Sequence, residues 1–214
     1  MAARPALASR SEARPRPAPS IIVVGASWGG LHALSQLVRD LPEQLAAAVV
    51  IVQHRSRDSD TLLSRLLQDL TPLVVVEVDD KDSICPGHIY VAPPDYHLLV
   101  DGTYFSLSTD PLVRYSRPSI DVTFLTAADT FRERTVGVVL TGANEDGAQG
   151  LARIAALGGK TVVQDPATAE MPRMPNAALS AVPTAKVLAL GAIGAYVAGI
   201  VGVDPAATCR EVTA

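Results

Sequence analysis

The chain has 214 residues, 48% hydrophobic and 19% charged, so it can bury the core of one domain and is too apolar for a disordered protein. Its 18 basic and 22 acidic residues give a net charge of −4, which argues against a nucleic-acid partner. No apolar run reaches the roughly 20 residues that a membrane helix needs, so we expect no stable membrane insertion.

The two ends of the chain differ from its centre. Residues 1–20 are rich in Ala, Pro and Arg and lack the apolar run of a secretory signal. We therefore expect a disordered tail over residues 1–20, one domain over residues 21–203 and a second tail over residues 204–214. A cytoplasmic location follows by default.

The first half of the domain predicts strands that alternate with helices. Continuous apolar runs at Ile21–Val24, Ala48–Val52 and Leu73–Val78 are typical of buried parallel strands. Leucines at helical spacing follow each of the first two runs, and Asp60 stands where it would cap the second helix.

The middle of the chain predicts a different arrangement. Three short runs, Ile89–Ala92, Tyr96–Val100 and Tyr104–Ser108, are separated by turn residues. This spacing predicts an inserted β-hairpin or β-meander.

The second half returns to the alternating pattern. It predicts a helix that ends at Phe131, strands at Val136–Leu140 and Lys160–Val163 with a helix between them, and a buried strand and helix over Val187–Val203. We therefore predict an α/β fold with a doubly wound, mostly parallel sheet that carries helices on both faces.

Reactive side chains follow three of the predicted strands. Ser27 comes after the first, His54 after the second, and Asp146 after Val136–Leu140. Sites in doubly wound sheets lie beyond the carboxyl ends of the strands, so we expect these three side chains to meet. Histidine can take the proton of a serine hydroxyl, and aspartate can orient the histidine. The sequence therefore predicts a serine hydrolase, with a chain order unlike that of α/β-hydrolases.

Residues next to the predicted triad predict an oxyanion hole and substrate loops. Trp28 and Gly29 open the helix after Ser27, and Gly142 and Ala143 precede Asp146. Backbone amides at a helix start have no partner in the helix and are suited to bind an oxyanion. No metal-binding spacing is present, and we expect no metal or organic cofactor.

Two alternatives come from other functional classes. The spacing Gly25-x-x-x-Gly29-Gly30 is similar to a dinucleotide fingerprint, which would indicate a nucleotide-binding, Rossmann-like oxidoreductase. That class expects an acidic residue after the second strand, where this chain has Gln53 and His54. The other alternative is a non-catalytic interaction domain with the same fold.

Several ordered motifs resemble those of the bacterial chemotaxis protein-glutamate methylesterases, the CheB-type catalytic domains. The segment 24–30 resembles their G-A-S-x-G-G loop, and 52–54 resembles V-Q-H. The segments 86–93, 117–121 and 140–147 are similar to P-G-x-I-Y-x-A-P, R-P-S-V-D and L-T-G-M-G-x-D-G. The likeness extends from about Ile21 to Leu190.

The resemblance implies hydrolysis of methyl esters on chemoreceptor glutamates, with deamidation of glutamines as a second activity. It puts Ser27, His54 and Asp146 on the catalytic positions. The implied partner is a methylated chemoreceptor or a related signalling protein. Because the segment before Ile21 is too short for a receiver domain, we expect a stand-alone form that works with a separate response regulator.

The chain departs from the family pattern beside the predicted nucleophile and before the predicted aspartate. Trp28 replaces a small hydroxyl residue, and Ala143 and Asn144 replace Met-Gly. We expect these changes to alter the oxyanion hole and the substrate crevice.

Overall fold

A sheet of parallel strands forms the centre of the molecule. A computed structural model describes residues 20–56 and 62–204 of the chain. Within these residues the parallel strands are β1 (Ser20–Ala26), β2 (Ala47–Gln53), β3 (Val74–Glu77), β4 (His88–Val91), β7 (Thr135–Val139), β8 (Lys160–Gln164) and β9 (Lys186–Leu188). An antiparallel hairpin is formed by β5 (His97–Asp101) and β6 (Tyr104–Ser108). The strand order in the parallel sheet is β3-β4-β2-β1-β7-β8-β9.

Helices cover both faces of this sheet. They are α1 (Gly30–Arg39), α2 (Leu62–Gln68), α3 (Ile120–Phe131), α4 (Ala148–Ala156), α5 (Arg173–Ala181) and α6 (Leu190–Val201). The predicted doubly wound α/β fold is confirmed.

Alternation along β1 shows how the sheet divides the core. Ile21 and Val23 pack in one cluster of buried side chains, which includes residues of α3, α4, α5 and the hairpin. Ile22 and Val24 pack in the other, with residues of α1, α2 and α6. Both faces of β1 are therefore buried, which explains the uninterrupted apolar sequence of this strand.

The insertion is a hairpin, and β4 belongs to the parallel sheet. Val49 to Ile51 of β2 pair with Ile89 to Val91 of β4. Of the two predicted arrangements, the hairpin is the one formed, because the first of the three runs, now β4, has joined the main sheet and only the second and third runs pair as β5 and β6. Helix α5 had no counterpart in the sequence prediction.

Some predictions concern residues outside the described part of the chain. Most of the predicted tails, at 1–19 and 205–214, lies there, and so does the predicted cap Asp60. Ser20 is the first residue of β1, and the amide of Asp204 donates to the carbonyl of Gln44 at 2.9 Å. No helix within residues 20–56 and 62–204 has both the length and the apolar character needed to cross a bilayer.

Candidate active site

Three strands deliver the predicted triad to one edge of the sheet. The order of the sheet reverses direction at β1, which has β2 on one side and β7 on the other. Such a reversal opens a crevice beyond the carboxyl ends of the strands. Ser27 and His54 follow the paired residues Ala26 and Gln53, and the amide of His54 donates to the carbonyl of Ala26 at 3.0 Å.

Backbone hydrogen bonds continue past the strand ends and fix the position of Ser27. On the β7 side, the amide of Ser27 donates to the carbonyl of Thr141 at 3.0 Å. On the β2 side, Nε2 of Gln53 donates to the carbonyls of Ser27 (2.8 Å) and His54 (2.9 Å). Ser27 is therefore held between the two neighbouring strands, with His54 on the adjacent strand at a spacing of about 4.8 Å.

The carboxylate of Asp146 is buried against the first turn of α3. Only 1% of Asp146 is exposed. Its Oδ1 accepts hydrogen bonds from Oγ of Ser119 (3.0 Å) and the amide of Asp121 (2.9 Å). Its Oδ2 accepts from the amide of Ile120 (2.7 Å) and lies 2.9 Å from Nε2 of His54. Amides at a helix start favour a negative charge, so this environment suits an ionised carboxylate.

The pKa of Asp146 is lowered, although burial by itself would raise it. The hydrogen bond with His54 and those from the amides of Asp121 and Ile120 outweigh the burial. The neighbouring carboxyl of Asp121 shows the opposite direction. Burial raises the pKa of Asp121, and the charge of Asp146 raises it further. The pKa values of the two adjacent carboxyl groups therefore shift in opposite directions, and Asp146 is the one held ionised.

The hydrogen-bond network assigns the tautomer of His54. An ionised carboxylate only accepts hydrogen bonds, so Nε2 of His54 must carry the hydrogen in its bond to Asp146. This leaves the lone pair of Nδ1 as the proton acceptor of the neutral ring. Nδ1 lies 3.3 Å from Nδ2 of Asn144.

The structure brings His54 and Asp146 into direct contact and places Ser27 beside them. Within residues 20–56 and 62–204, the hydroxyl of the half-buried Ser27 makes no hydrogen bond, including none to His54. Serine–histidine contacts in unliganded enzymes are commonly long and shorten in the substrate complex. The contacts of the described residues therefore join His54 to Asp146, and Ser27 lies at the end of the adjacent strand without a hydrogen bond to His54.

The predicted oxyanion loops contain both occupied and free amides. The amide of Gly142 donates to the carbonyl of Met171 at 3.0 Å, so the donor expected from this loop falls to Ala143. In the described part of the chain, the amides of Trp28, Gly29 and Ala143 donate to no protein acceptor. Gly29 has a φ of 77°, a conformation that favours glycine over other residues.

A crevice of about 710 Å³ opens beside the predicted nucleophile. Ser27, Trp28, His54 and apolar side chains of α2 line it, among them Leu62 and Leu66. Trp28 is 63% exposed, and its indole Nε1 donates to Oε1 of Glu170 at 2.8 Å. The crevice therefore has one wall whose position depends on a hydrogen bond between two loops.

Several residues that hold the site were missed by sequence reasoning. Gln53 lies in the segment that resembles V-Q-H and in the place where a dinucleotide site needs an acid, but its amide was not predicted to join two strand ends. Ser119 stands in the segment that resembles R-P-S-V-D, and Thr141 in the one that resembles L-T-G-M-G-x-D-G. The hydroxyl of Thr141 donates to the carbonyl of Trp28 at 2.9 Å. The motifs were a signal for Gln53, Ser119 and Thr141, whereas Glu170 carried none.

The other histidines have separate places. His97 is buried, its Nδ1 accepts from the amide of Ser119 at 3.2 Å, and its Nε2 contacts the carbonyl of Pro111 at 3.1 Å. His88 contacts the carbonyl of Pro86, and His32 lines the crevice. Among residues 20–56 and 62–204, no three His, Cys, Asp or Glu side chains are grouped to hold a metal ion.

Comparisons with known proteins show the family of this chain. The family model of CheB methylesterases matches residues 22–197. A Leptospira interrogans protein, whose assigned name is protein-glutamate methylesterase/protein-glutamine glutaminase, is 46% identical over 170 residues, which cover 79% of this chain and 88% of the relative. The protein-glutamate methylesterase FrzG of Myxococcus xanthus is 36% identical over 194 residues, which are 90% of this chain and 58% of FrzG.

A solved structure shows the same architecture. The crystal structure of the CheB methylesterase catalytic domain of Thermotoga maritima superposes with a TM-score of 0.84 at 28% sequence identity. The match covers 86% of this chain and 100% of that domain.

Proposed function

The chain belongs to the CheB methylesterase family, and on that premise we propose that it hydrolyses methyl esters of glutamate side chains in proteins. Ser27 is the nucleophile, His54 the general base and acid, and Asp146 the carboxylate that orients His54. The observation that carries the proposal is the 2.9 Å contact between Nε2 of His54 and Oδ2 of Asp146, beside Ser27 at the carboxyl edge of the sheet.

Acylation follows from the protonation state that the network assigns. Nδ1 of His54 takes the hydroxyl proton while Oγ of Ser27 attacks the ester carbonyl carbon. The positive imidazolium is stabilised by Asp146, which is already ionised. The carbonyl oxygen gains negative charge and is bound by the free amides of Trp28, Gly29 and Ala143. Methanol leaves with the proton from His54, and an acyl-enzyme remains.

Deacylation uses the same groups in reverse. Nδ1 of His54 takes a proton from water, and the resulting hydroxide attacks the acyl carbon. Ser27 leaves as an alkoxide, which takes back the proton from His54, and the glutamate carboxyl group is released. An amide carbonyl in the same position would lose ammonia, so glutamine deamidation needs no additional residue.

We propose a methylated chemoreceptor or a related signalling protein as the substrate. The names of the Leptospira and Myxococcus relatives support a glutamate side chain as the target. The open crevice beside Ser27, with apolar walls from α2, is suited to a side chain presented by another protein. A separate response regulator and a cytoplasmic location stay predictions.

Methanol release from a methylated chemoreceptor tests this function. We expect the wild-type chain to release methanol and Ser27→Ala to release none, with an unchanged circular dichroism spectrum. Ser180→Ala, which changes an exposed serine on α5, is the matched control and should keep full activity. Turnover by Ser27→Ala would contradict the proposal.

The alternatives predict other results from the same preparation. A nucleotide-binding oxidoreductase would quench or enhance NAD(P)H fluorescence on binding and release no methanol. An amide, Gln53, stands where that class needs a carboxylate for the ribose. A non-catalytic interaction domain would bind the receptor without turnover.

A further inference from the structure

Asn144 makes two hydrogen bonds in the candidate site. Its Oδ1 accepts from the amide of Asp146 at 3.0 Å. Its Nδ2 lies 3.3 Å from Nδ1 of His54. The first contact fixes the orientation of the side-chain amide, because only the oxygen can accept from a backbone N–H. The NH₂ group of Asn144 must therefore point at Nδ1 of His54.

This contact uses the lone pair that catalysis needs. A neutral imidazole has one in-plane lone pair, and the hydrogen bond to Asp146 assigns it to Nδ1. The hydroxyl of Ser27 must donate to the same lone pair before it can lose its proton. Asn144 and Ser27 are thus two donors for one acceptor.

We propose that Asn144 is a positioning residue that occupies Nδ1 of His54 in the resting enzyme and must yield it to Ser27 for the reaction to start. The inference rests on the proposed function, since it takes Ser27 as the nucleophile. The free hydroxyl of Ser27 fits a resting state in which Asn144 holds the base. Asn144 is partly exposed and bound to His54 at the long end of the hydrogen-bond range, so it can be displaced.

The rate at which a fluorophosphonate labels Ser27 reports this competition without a physiological substrate. Asn144→Ala removes the competing donor, and we expect labelling to become about two- to tenfold faster, the range set by one neutral hydrogen bond. Asn144→Asp keeps an oxygen for the amide of Asp146 but puts a carboxylate against Nδ1. The negative charge favours the protonated imidazole, so we expect slower labelling than in the wild type.

Opposite effects of the two substitutions separate this role from a structural one. Loosening of the loop would slow labelling in both variants. Asn176→Ala, which changes an exposed asparagine on α5, is the matched control and should label at the wild-type rate. Equal or slower labelling of Asn144→Ala overturns the proposal.

Nitrogen-15 NMR of the histidine side chains gives an independent readout. The Nδ1 resonance of His54 should shift in Asn144→Ala, where it loses a hydrogen bond, and should keep its position in Asn176→Ala. An Nδ1 resonance that is the same in all three proteins overturns the proposal. If even the wild-type chain is not labelled, the proposed function fails, and the NMR comparison still decides whether Asn144 holds His54.

Discussion

Replacing Asp146 by Asn would exchange a group that only accepts hydrogen bonds for one that also donates. Three donors meet Oδ1 of Asp146, from Ser119, Asp121 and Gly147. Two meet Oδ2, from Ile120 and His54. The amide oxygen of the variant will stay with the three donors, because that choice leaves fewer of them without a partner. Its NH₂ group then faces the amide of Ile120 and Nε2 of His54.

The cost in stability comes from the amide of Ile120. A buried donor that loses its acceptor costs about 1–3 kcal/mol, and the loss of hydrogen bonds to a charged group adds to this, so we expect about 2–4 kcal/mol in total. For a domain of this size each kcal/mol lowers Tm by roughly 2–4 °C, which predicts a fall of about 5–15 °C.

The cost in activity comes from the tautomer of His54. Facing an NH₂ group, Nε2 must accept, so the ring hydrogen moves to Nδ1, the nitrogen that should take the proton of Ser27. Loss of the correct tautomer in a serine–histidine–aspartate triad lowers turnover by about 10⁴. We expect kcat for methanol release to fall by that order while KM changes little.

Thermal unfolding and steady-state kinetics on the same protein check both numbers. The pH dependence of the free energy of unfolding is a further check, because its direction can be predicted. Because the pKa of Asp146 is lowered in the folded chain, its charge stabilises the fold above the unfolded value of about 3.9. The difference in free energy of unfolding between the wild type and Asp146→Asn should therefore become smaller as the pH falls below about 4. A variant with wild-type kcat and a Tm within 1 °C of the wild type would refute the reasoning.

Three further substitutions follow from the same contacts. Gln53→Glu puts an acceptor in place of the amide donor that joins two backbone carbonyls. We expect the free energy of unfolding, measured in urea, to fall by about 1–3 kcal/mol and kcat to fall as well. Unchanged values would show that Gln53 does not support the site. Trp28→Thr removes the exposed side chain that lines the crevice and donates a hydrogen bond to Glu170. The substitution should change the order of kcat/KM among several methyl esters. An unchanged order would count against a role of Trp28 in substrate preference. Asp121→Asn removes a buried carboxyl whose pKa is raised by burial and by Asp146. The free energy of unfolding of the variant should therefore increase relative to that of the wild type as the pH rises from 4 to 7. A decrease relative to the wild type over that range would argue against repulsion between the two carboxylates.

The strands were predictable because burial on both faces leaves a simple pattern. Ile21–Val24 and Ala48–Val52 are uninterrupted apolar runs, and they lie inside β1 and β2. Helix α5 was missed because Pro172 and Pro175 indicate a break. In the structure Pro172 precedes the first residue of α5 and Pro175 lies in its first turn, where the backbone N–H of a helix has no helical partner.

The candidate site could be predicted only in part, for a physical reason. Ser27 and His54 follow strands directly, so the topology of a doubly wound sheet places them together. Gln53 ends β2 and acts through side-chain hydrogen bonds to two backbone carbonyls, and the hydrogen bonds of Asn144 depend on the path of the loop before Asp146. No spacing in the sequence encodes that path, and the amide of Asn144 at Nδ1 of His54 became visible only in three dimensions.

Peptide mapping after treatment with a fluorophosphonate tests the central claim most directly, because the reagent bonds only to an activated hydroxyl. We predict one phosphonyl adduct on Ser27 in the wild-type chain and none in Ser27→Ala or His54→Ala. An adduct on a different residue, or undiminished labelling of His54→Ala, would contradict the assignment of Ser27 as a nucleophile activated by His54.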